Sequence, residues 1–134
     1  MLGKFFKRTN WNNRENMKLS EKQILFAQNS LKLMSYIFSE GYSWTYGEAY
    51  RTPEQAAIYA EKGIGIENCL HCKRLAIDLN IFSPEGEYLT RTEDYQKFGR
   101  YWEGLNPLNR WGGNFPKKDG NHFSMKESED SPYA

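Results

Sequence analysis

Cysteine, histidine and net charge are all scarce in this chain. Among its 134 residues are two cysteines and two histidines, and 18 basic side chains face 17 acidic ones for a formal charge of +1. Cys69 and Cys72 alone cannot build the disulfide framework of a small secreted domain. A near balance of charge lacks the basic excess with which a general nucleic-acid binder neutralises phosphates, so no nucleic-acid partner is expected. No apolar run approaches the roughly 20 residues of a membrane helix, so no membrane insertion is expected either. The leading Met-Leu-Gly-Lys-Phe-Phe-Lys-Arg has no apolar stretch long enough for a secretory signal, and synthesis in a cytoplasm is the expectation.

Aromatic residues are plentiful: four Trp, nine Tyr and eight Phe can close the core of one compact domain. The chain has no internal repeat and no low-complexity linker. Its charge is uneven, with Lys4, Lys7, Arg8, Arg14 and Lys18 set against Glu15 at one end, and Glu127, Glu129 and Asp130 against Lys126 at the other. The reading is a basic N-terminal segment over 1–19, one domain over 20–125 and an acidic tail over 126–134. The basic arm could favour an anionic polymer such as cell wall or lipid headgroups, although a solvated terminus is the plainer expectation.

The periodicity within 20–125 predicts an α+β fold, a small antiparallel sheet with flanking helices. Ser20 and Gln23 form a capping box ahead of Ile24, Ala27, Leu31, Met34 and Phe38, whose spacing predicts an amphipathic helix ending at Gly41. Residues 42–50 are aromatic and roughly alternating, as in a strand. Thr52 caps a second helix, with Pro53 at its first position, Gln55 completing another capping box and Gly63 as its stop. In residues 76–82, Ile77, Leu79 and Ile81 share one face of a strand, and Ala76, Asp78 and Asn80 share the other. Ser83-Pro84-Glu85-Gly86 matches a type I turn, so a hairpin through Tyr88 is expected. Thr92 is expected to cap a helix bearing Tyr95, Phe98, Trp102 and Leu105 and ended by Asn106-Pro107. Short strands around a loop at Lys117-Lys118-Asp119-Gly120 complete the reading.

The two histidines each have an acidic residue close by in sequence: Asp78 follows His71 by seven positions, and Asp119 precedes His122 by three. Two imidazoles, one carboxylate and an open position make up the ligand set of a catalytic zinc site. Seven residues of helix rise about 10 Å, and seven steps of strand put the side chains on opposite faces. His71 and Asp78 can therefore meet at one ion only if the segment between them bends, with Lys73 and Arg74 in a turn that swings His71 over the polar face of the strand. Two unrelated histidines, one packed and one exposed, would fit the spacing equally well.

Cys69-Leu70-His71-Cys72 offers half of a zinc knuckle or a redox pair, but the first lacks a second ligand pair and the second lacks a strand before it. Two small reduced side chains lining a bend is the simpler reading. Arg51 could hold a substrate carboxylate or stabilise an oxyanion, with Glu48 orienting it; a surface ion pair is the alternative.

Taken in order, these segments resemble a family of zinc peptidases that includes bacterial D-Ala-D-Ala carboxypeptidases and dipeptidases and the L-alanyl-D-glutamate endopeptidases of phage endolysins. The family pattern Ser-x-His-x-x-Gly-x-Ala-x-Asp corresponds to Cys69-Leu70-His71-Cys72-Lys73-Arg74-Leu75-Ala76-Ile77-Asp78. Its later Asp/Glu-x-x-His corresponds to Asp119-Gly120-Asn121-His122. Tyr50-Arg51-Thr52-Pro53-Glu54-Gln55 looks like the family's arginine-bearing segment, and Trp111-Gly112-Gly113 precedes the last motif as in many of the phage enzymes. Cys69 stands where serine is usual and Arg74 where glycine is usual.

The resemblance covers about residues 20–125. It implies a zinc site on one face of the sheet, with His71, Asp78 and His122 as ligands, Asp119 as general base, and Arg51 aiding substrate or transition state. It implies a monomeric zinc metallopeptidase acting on the peptidoglycan stem peptide, most readily at the L-Ala–D-Glu bond. The aspartate at position 119 leans toward that endopeptidase branch, and Arg51 would hold the D-Glu carboxylate. A D-Ala-D-Ala carboxypeptidase or dipeptidase is the nearest alternative, and a non-catalytic wall-binding module is one of another class. A hydrolase made in the host cytoplasm and reaching the wall by holin-type release, as a phage or prophage endolysin does, is the accompanying expectation.

Overall fold

The computed structural model describes residues 17–64 and 69–128. Most of the basic segment over 1–19 and of the acidic tail over 126–134 lies outside the described residues. The element order is α1 (Leu19–Ser39), β1 (Ser43–Tyr46), α2 (Pro53–Glu61), a 3-10 turn (Leu70–Lys73), β2 (Ala76–Phe82), a second 3-10 turn (Thr92–Tyr95), α3 (Gln96–Leu105), β3 (Asn109–Trp111), a third 3-10 turn (Gly112–Asn114) and β4 (His122–Met125). The strands form one antiparallel sheet in the order β1-β2-β4-β3. The α+β expectation therefore holds.

Strand register divides the sheet into two chemically distinct faces. Ile77 lies opposite Phe123, which lies opposite Trp111, and these side chains join Leu79, Ile81 and Met125 in the buried core. Helices α1 and α3 cover this face: the Trp102 ring meets Phe26 edge-on at 5.5 Å and Phe123 at 6.1 Å. The Trp102 indole N–H donates to the carbonyls of Arg110 and Ser124, so its burial leaves no orphaned donor. Gly99 lets α3 close on the sheet, because a Cβ there would come within 2.1 Å of the Trp111 ring. On the other face, Asp78 pairs with His122, and Ala76 with Ser124, which in turn pairs with Arg110.

The structure corrects several local expectations. Helix α1 buries Phe26, Asn29, Ser30, Leu33 and Ile37, whereas Ile24, Leu31 and Phe38 of the expected stripe are 52%, 67% and 75% exposed. The buried stripe contains two polar residues, and Ser30 is accommodated because its hydroxyl donates to the Phe26 carbonyl one turn back. The cap also moves: Lys18 precedes the helix and its backbone N–H donates to Glu21 at 2.8 Å, so Ser20 and Gln23 lie inside.

The first strand is shorter than residues 42–50, and Gly47 and Glu48 meet Asp78 through single backbone hydrogen bonds. Thr92 opens a 3-10 turn whose cap is Arg91. The expected hairpin reaches Tyr88 as an isolated bridge to Phe82, after a turn in which Gly86 has φ +87°. The second helix starts where its signals place it, with Thr52 accepting from the Gln55 N–H at 3.1 Å and Pro53 in the first turn, although the Gln55 side chain does not return the bond that would complete the expected capping box.

Candidate metal centre and its cleft

His71 reaches the polar face of the sheet by a local device. The 3-10 turn Leu70–Lys73 ends at Arg74, which takes the left-handed conformation with φ 57° and ψ 37°. A non-glycine residue there carries a steric cost. Part of it is offset by the Arg74 guanidinium, which lies 4.1 Å from the centre of the Tyr50 ring. The turn is held from several sides. The Arg51 N–H donates to the His71 carbonyl, Gln23 Nε2 donates to the Lys73 carbonyl at 2.9 Å, and Lys73 Nζ pairs with Glu127 at 2.9 Å.

The chain reversal at Arg74 brings His71 back over β2, where Asp78 already faces His122 across the ladder. One ligand atom each from His71, Asp78 and His122 lies within 4.8 Å of the others. Asp78 Oδ1 is 3.4 Å from His71 Nε2 and 3.2 Å from His122 Nδ1. Both histidines are buried.

The donor chemistry fits a cation. His71 Nδ1 is 3.2 Å from the Ala49 carbonyl, which can only accept, so this nitrogen carries a proton; Nε2 faces Asp78, donating to it while protonated and offering its lone pair to a cation once that proton is lost. A lone pair, a carboxylate oxygen and a second imidazole then converge at one point. Burial opposes charge on both His71 and Asp78, yet the contacts between them more than offset it. The His71 imidazole is pushed up from its ordinary value, and Asp78 is held down at about 2 by hydrogen bonds from His122 and His71.

Asp119 stands at the rim, its Oδ2 3.9 Å from His122 Nδ1 and its side chain 54% exposed. Gly112 makes this placement possible: a Cβ there would fall 2.2 Å from the Asp119 carbonyl oxygen, and the Asp119 N–H donates to the Gly112 carbonyl at 2.9 Å. Trp111 Nε1 then donates to the Gly120 carbonyl at 2.6 Å, fixing the next residue. Desolvation against the cleft wall pushes the Asp119 carboxyl above its ordinary value; His122 pulls the other way, and the negative charge of Asp78 adds to the rise.

An open cleft of about 840 Å³ runs past these residues. Arg51, Cys69, His71, Asp78, Asp119 and His122 line it together with Glu103, Arg110, Trp111, Phe115 and Lys117. Arg51 is already engaged. Its Nε and NH2 donate to the two carboxylate oxygens of Glu48, and its NH1 donates to Cys69 Sγ at 3.3 Å. The Glu48 carboxyl is lowered by that hydrogen bond from Arg51. The expectation that Glu48 orients Arg51 is met in geometry, but the paired donors that would grip a substrate carboxylate are occupied. The Cys69 and Cys72 sulfurs lie 3.4 Å apart at the bend, outside the His-Asp-His cluster.

Sequence reasoning passed over Phe115, whose ring lies 5.4 Å from that of His122, and Arg110. Nothing in spacing marks Phe115. Arg110 could have been found by placing it on the polar face of β3, directly before Trp111.

Residues 65–125 match the family model described as D-alanyl-D-alanine carboxypeptidase. No curated protein matches the chain. Among solved structures, the L-Ala D-Glu endopeptidase ChiX of Serratia marcescens is similar in fold, with a TM-score of 0.59 and 16% identity over 85% of this chain and 84% of that one. The stretch that carries His71, Asp78, Asp119 and His122 is thus matched to the D-alanyl-D-alanine carboxypeptidase family, the peptidase family that its motifs resemble.

Proposed function

We propose that this protein is a zinc-dependent peptidase that cuts the stem peptide of peptidoglycan at the L-Ala–D-Glu bond, in the manner of a phage or prophage endolysin. The observation that carries the reading is the convergence of His71, Asp78 and His122 on one point beside Asp119, in a cleft open enough for a peptide. Zinc held by the three side chains would supply Lewis-acid polarisation of the scissile carbonyl and activation of water.

The chain's own groups do the rest. Ala49 fixes the His71 tautomer, and Asp78 spans both imidazoles, so the ligand atoms are ordered in advance. Asp119, half exposed and not part of the cluster, is free to take the proton of an attacking water and return it to the departing amine. Arg51, held rigid by Glu48, keeps a fixed cation on the cleft wall where negative charge grows on the carbonyl oxygen. Phe115 walls one side of His122 and keeps bulk water from that edge.

The L-Ala–D-Glu choice draws on the fold shared with ChiX and on the aspartate at position 119. The family description favours D-Ala–D-Ala as the second reading. Synthesis in a host cytoplasm, release by a holin and action as a monomer belong to the endolysin proposal. Mass analysis of fragments from purified peptidoglycan, with and without a chelator, tests the core of it. The expected products carry new amino groups on D-Glu and appear only without chelator. Release of single D-Ala residues would move the assignment to the carboxypeptidase branch, and chelator-resistant cleavage would remove the metal from it.

A further inference from the structure

The cleft contains a second arginine whose geometry is the opposite of Arg51's. Arg110 lies on β3 opposite Ser124, two residues along β4 from His122, and therefore on the same face of the sheet as the metal cluster. A diagonal relation of this kind separates the two positions by about 7–8 Å, within reach of a long side chain. The guanidinium is anchored by one nitrogen only: NH1 donates to the Pro107 carbonyl at 2.7 Å and to the Asn109 carbonyl at 2.8 Å. Nε and NH2 make no hydrogen bond among the described residues, and the side chain lines the cleft.

The neighbouring carboxylate does not neutralise it. Glu103 accepts from the Trp111 N–H and from Asn114 Nδ2, and forms no ion pair with Arg110. Lys117 lines the same cleft and adds to its positive charge. The result is a cation fixed at one corner with its two-donor edge open, the arrangement that receives a carboxylate by paired hydrogen bonds.

We infer that Arg110, rather than Arg51, reads a substrate carboxylate, the one carried by the residue on the leaving-group side of the scissile bond. This rests on the proposed peptidase reading and extends it to specificity. In an L-Ala–D-Glu substrate that group is the α-carboxylate of D-Glu, attached to the carbon that bears the scissile nitrogen. The cleft then distinguishes D-Glu from D-isoglutamine, in which the same position is an uncharged amide. Arg51 contributes to turnover of both.

The test compares the peptide L-Ala-γ-D-Glu-L-Lys with its D-isoglutamine counterpart, using the full chain loaded with zinc. Wild type should prefer the carboxylate peptide. Arg110→Gln should reduce the ratio of the two kcat/KM values by about ten- to a hundredfold, the scale of lost hydrogen bonds to a charged group, and Arg110→Lys should fall between. Arg51→Gln should lower both rates by a common factor. An unchanged ratio in Arg110→Gln or, if that variant does not fold, in Arg110→Lys would overturn the inference.

Calorimetric binding of γ-D-glutamyl-L-lysine separates this from the bond assignment. If wild type cleaves neither peptide, yet binds this ligand more tightly than a folded Arg110 variant does, the carboxylate site stands and the bond assignment falls. If the Arg110 variants bind it as tightly as wild type, or wild type does not bind it, the carboxylate site falls.

Discussion

His122 and Phe123 are adjacent in sequence and face opposite ways from β4. Phe123 is sealed against Trp102 in the core, whereas His122 looks into the cleft toward Asp78 and Asp119. The same division runs through β2, where Ile77, Leu79 and Ile81 pack inward and Asp78 and Asn80 face the cleft side. One sheet thus supplies most of the cohesion with one face and the candidate chemistry with the other. Because strand side chains alternate strictly, a change on one face leaves the other face in register.

The sharpest way to break this comparison is to truncate the two neighbours separately. Phe123→Ala should cost about 3–5 kcal/mol, as a large aromatic removed from a closed core does, and appear as a large fall in the denaturation midpoint. His122→Ala should leave a folded chain but lose bound metal, measured by elemental analysis, and abolish peptide hydrolysis. A His122→Ala protein with full zinc content would remove that residue from the site.

A smaller effect is expected at the rim. Asp119→Asn should keep the fold and most of the zinc while lowering turnover roughly a hundredfold, the contribution of a positioned acid–base group. The same residue sets the sign of the pH dependence. A base works only when ionised, so wild-type kcat/KM should fall on acidification as the Asp119 carboxylate takes up its proton, at a higher pH the less a bound cation offsets the rise that burial gives this group. The Asp119→Asn variant should lose this acidic limb, and a pH–rate profile for both proteins checks it.

How much could be read in advance differed in the same way. Period two is unambiguous, so β2 displayed both its buried and its polar face in the sequence, and Thr52-Pro53 displayed the start of α2. Helix α1 offered two stripes. The one richer in apolar residues, through Ile24, Leu31 and Phe38, is largely exposed, while the buried one admits Asn29 and Ser30. Hydropathy alone could not choose between them, because the choice is made by Trp102 and Phe98 from a distant helix.

In the site, residue types and order pointed to His71, Asp78, His122 and Asp119. The closure of Glu48 on Arg51 and the open edge of Arg110 depend on side-chain geometry that spacing does not encode. The smallest predicted effect is at Leu31, set against its buried neighbour Leu33. Leu33→Ala should destabilise by about 2–5 kcal/mol, and Leu31→Ala by no more than about 0.5 kcal/mol. Equal losses in a denaturant titration would reverse the assignment of faces.

The tethering of the His71 turn has a consequence for metal capture. If Leu70–Lys73 had to be ordered on binding, each residue would cost about 1–2 kcal/mol of backbone entropy, together at least about a thousandfold in affinity. Here the Tyr50–Arg74 stack, the Gln23 hydrogen bond and the Lys73–Glu127 pair have already fixed that turn by contacts that do not involve an ion. An ion bound by His71, Asp78 and His122 would therefore meet a finished site rather than build one. Unlike a zinc finger, whose fold collapses with its metal, this chain would keep its shape through the loss or exchange of an ion held there.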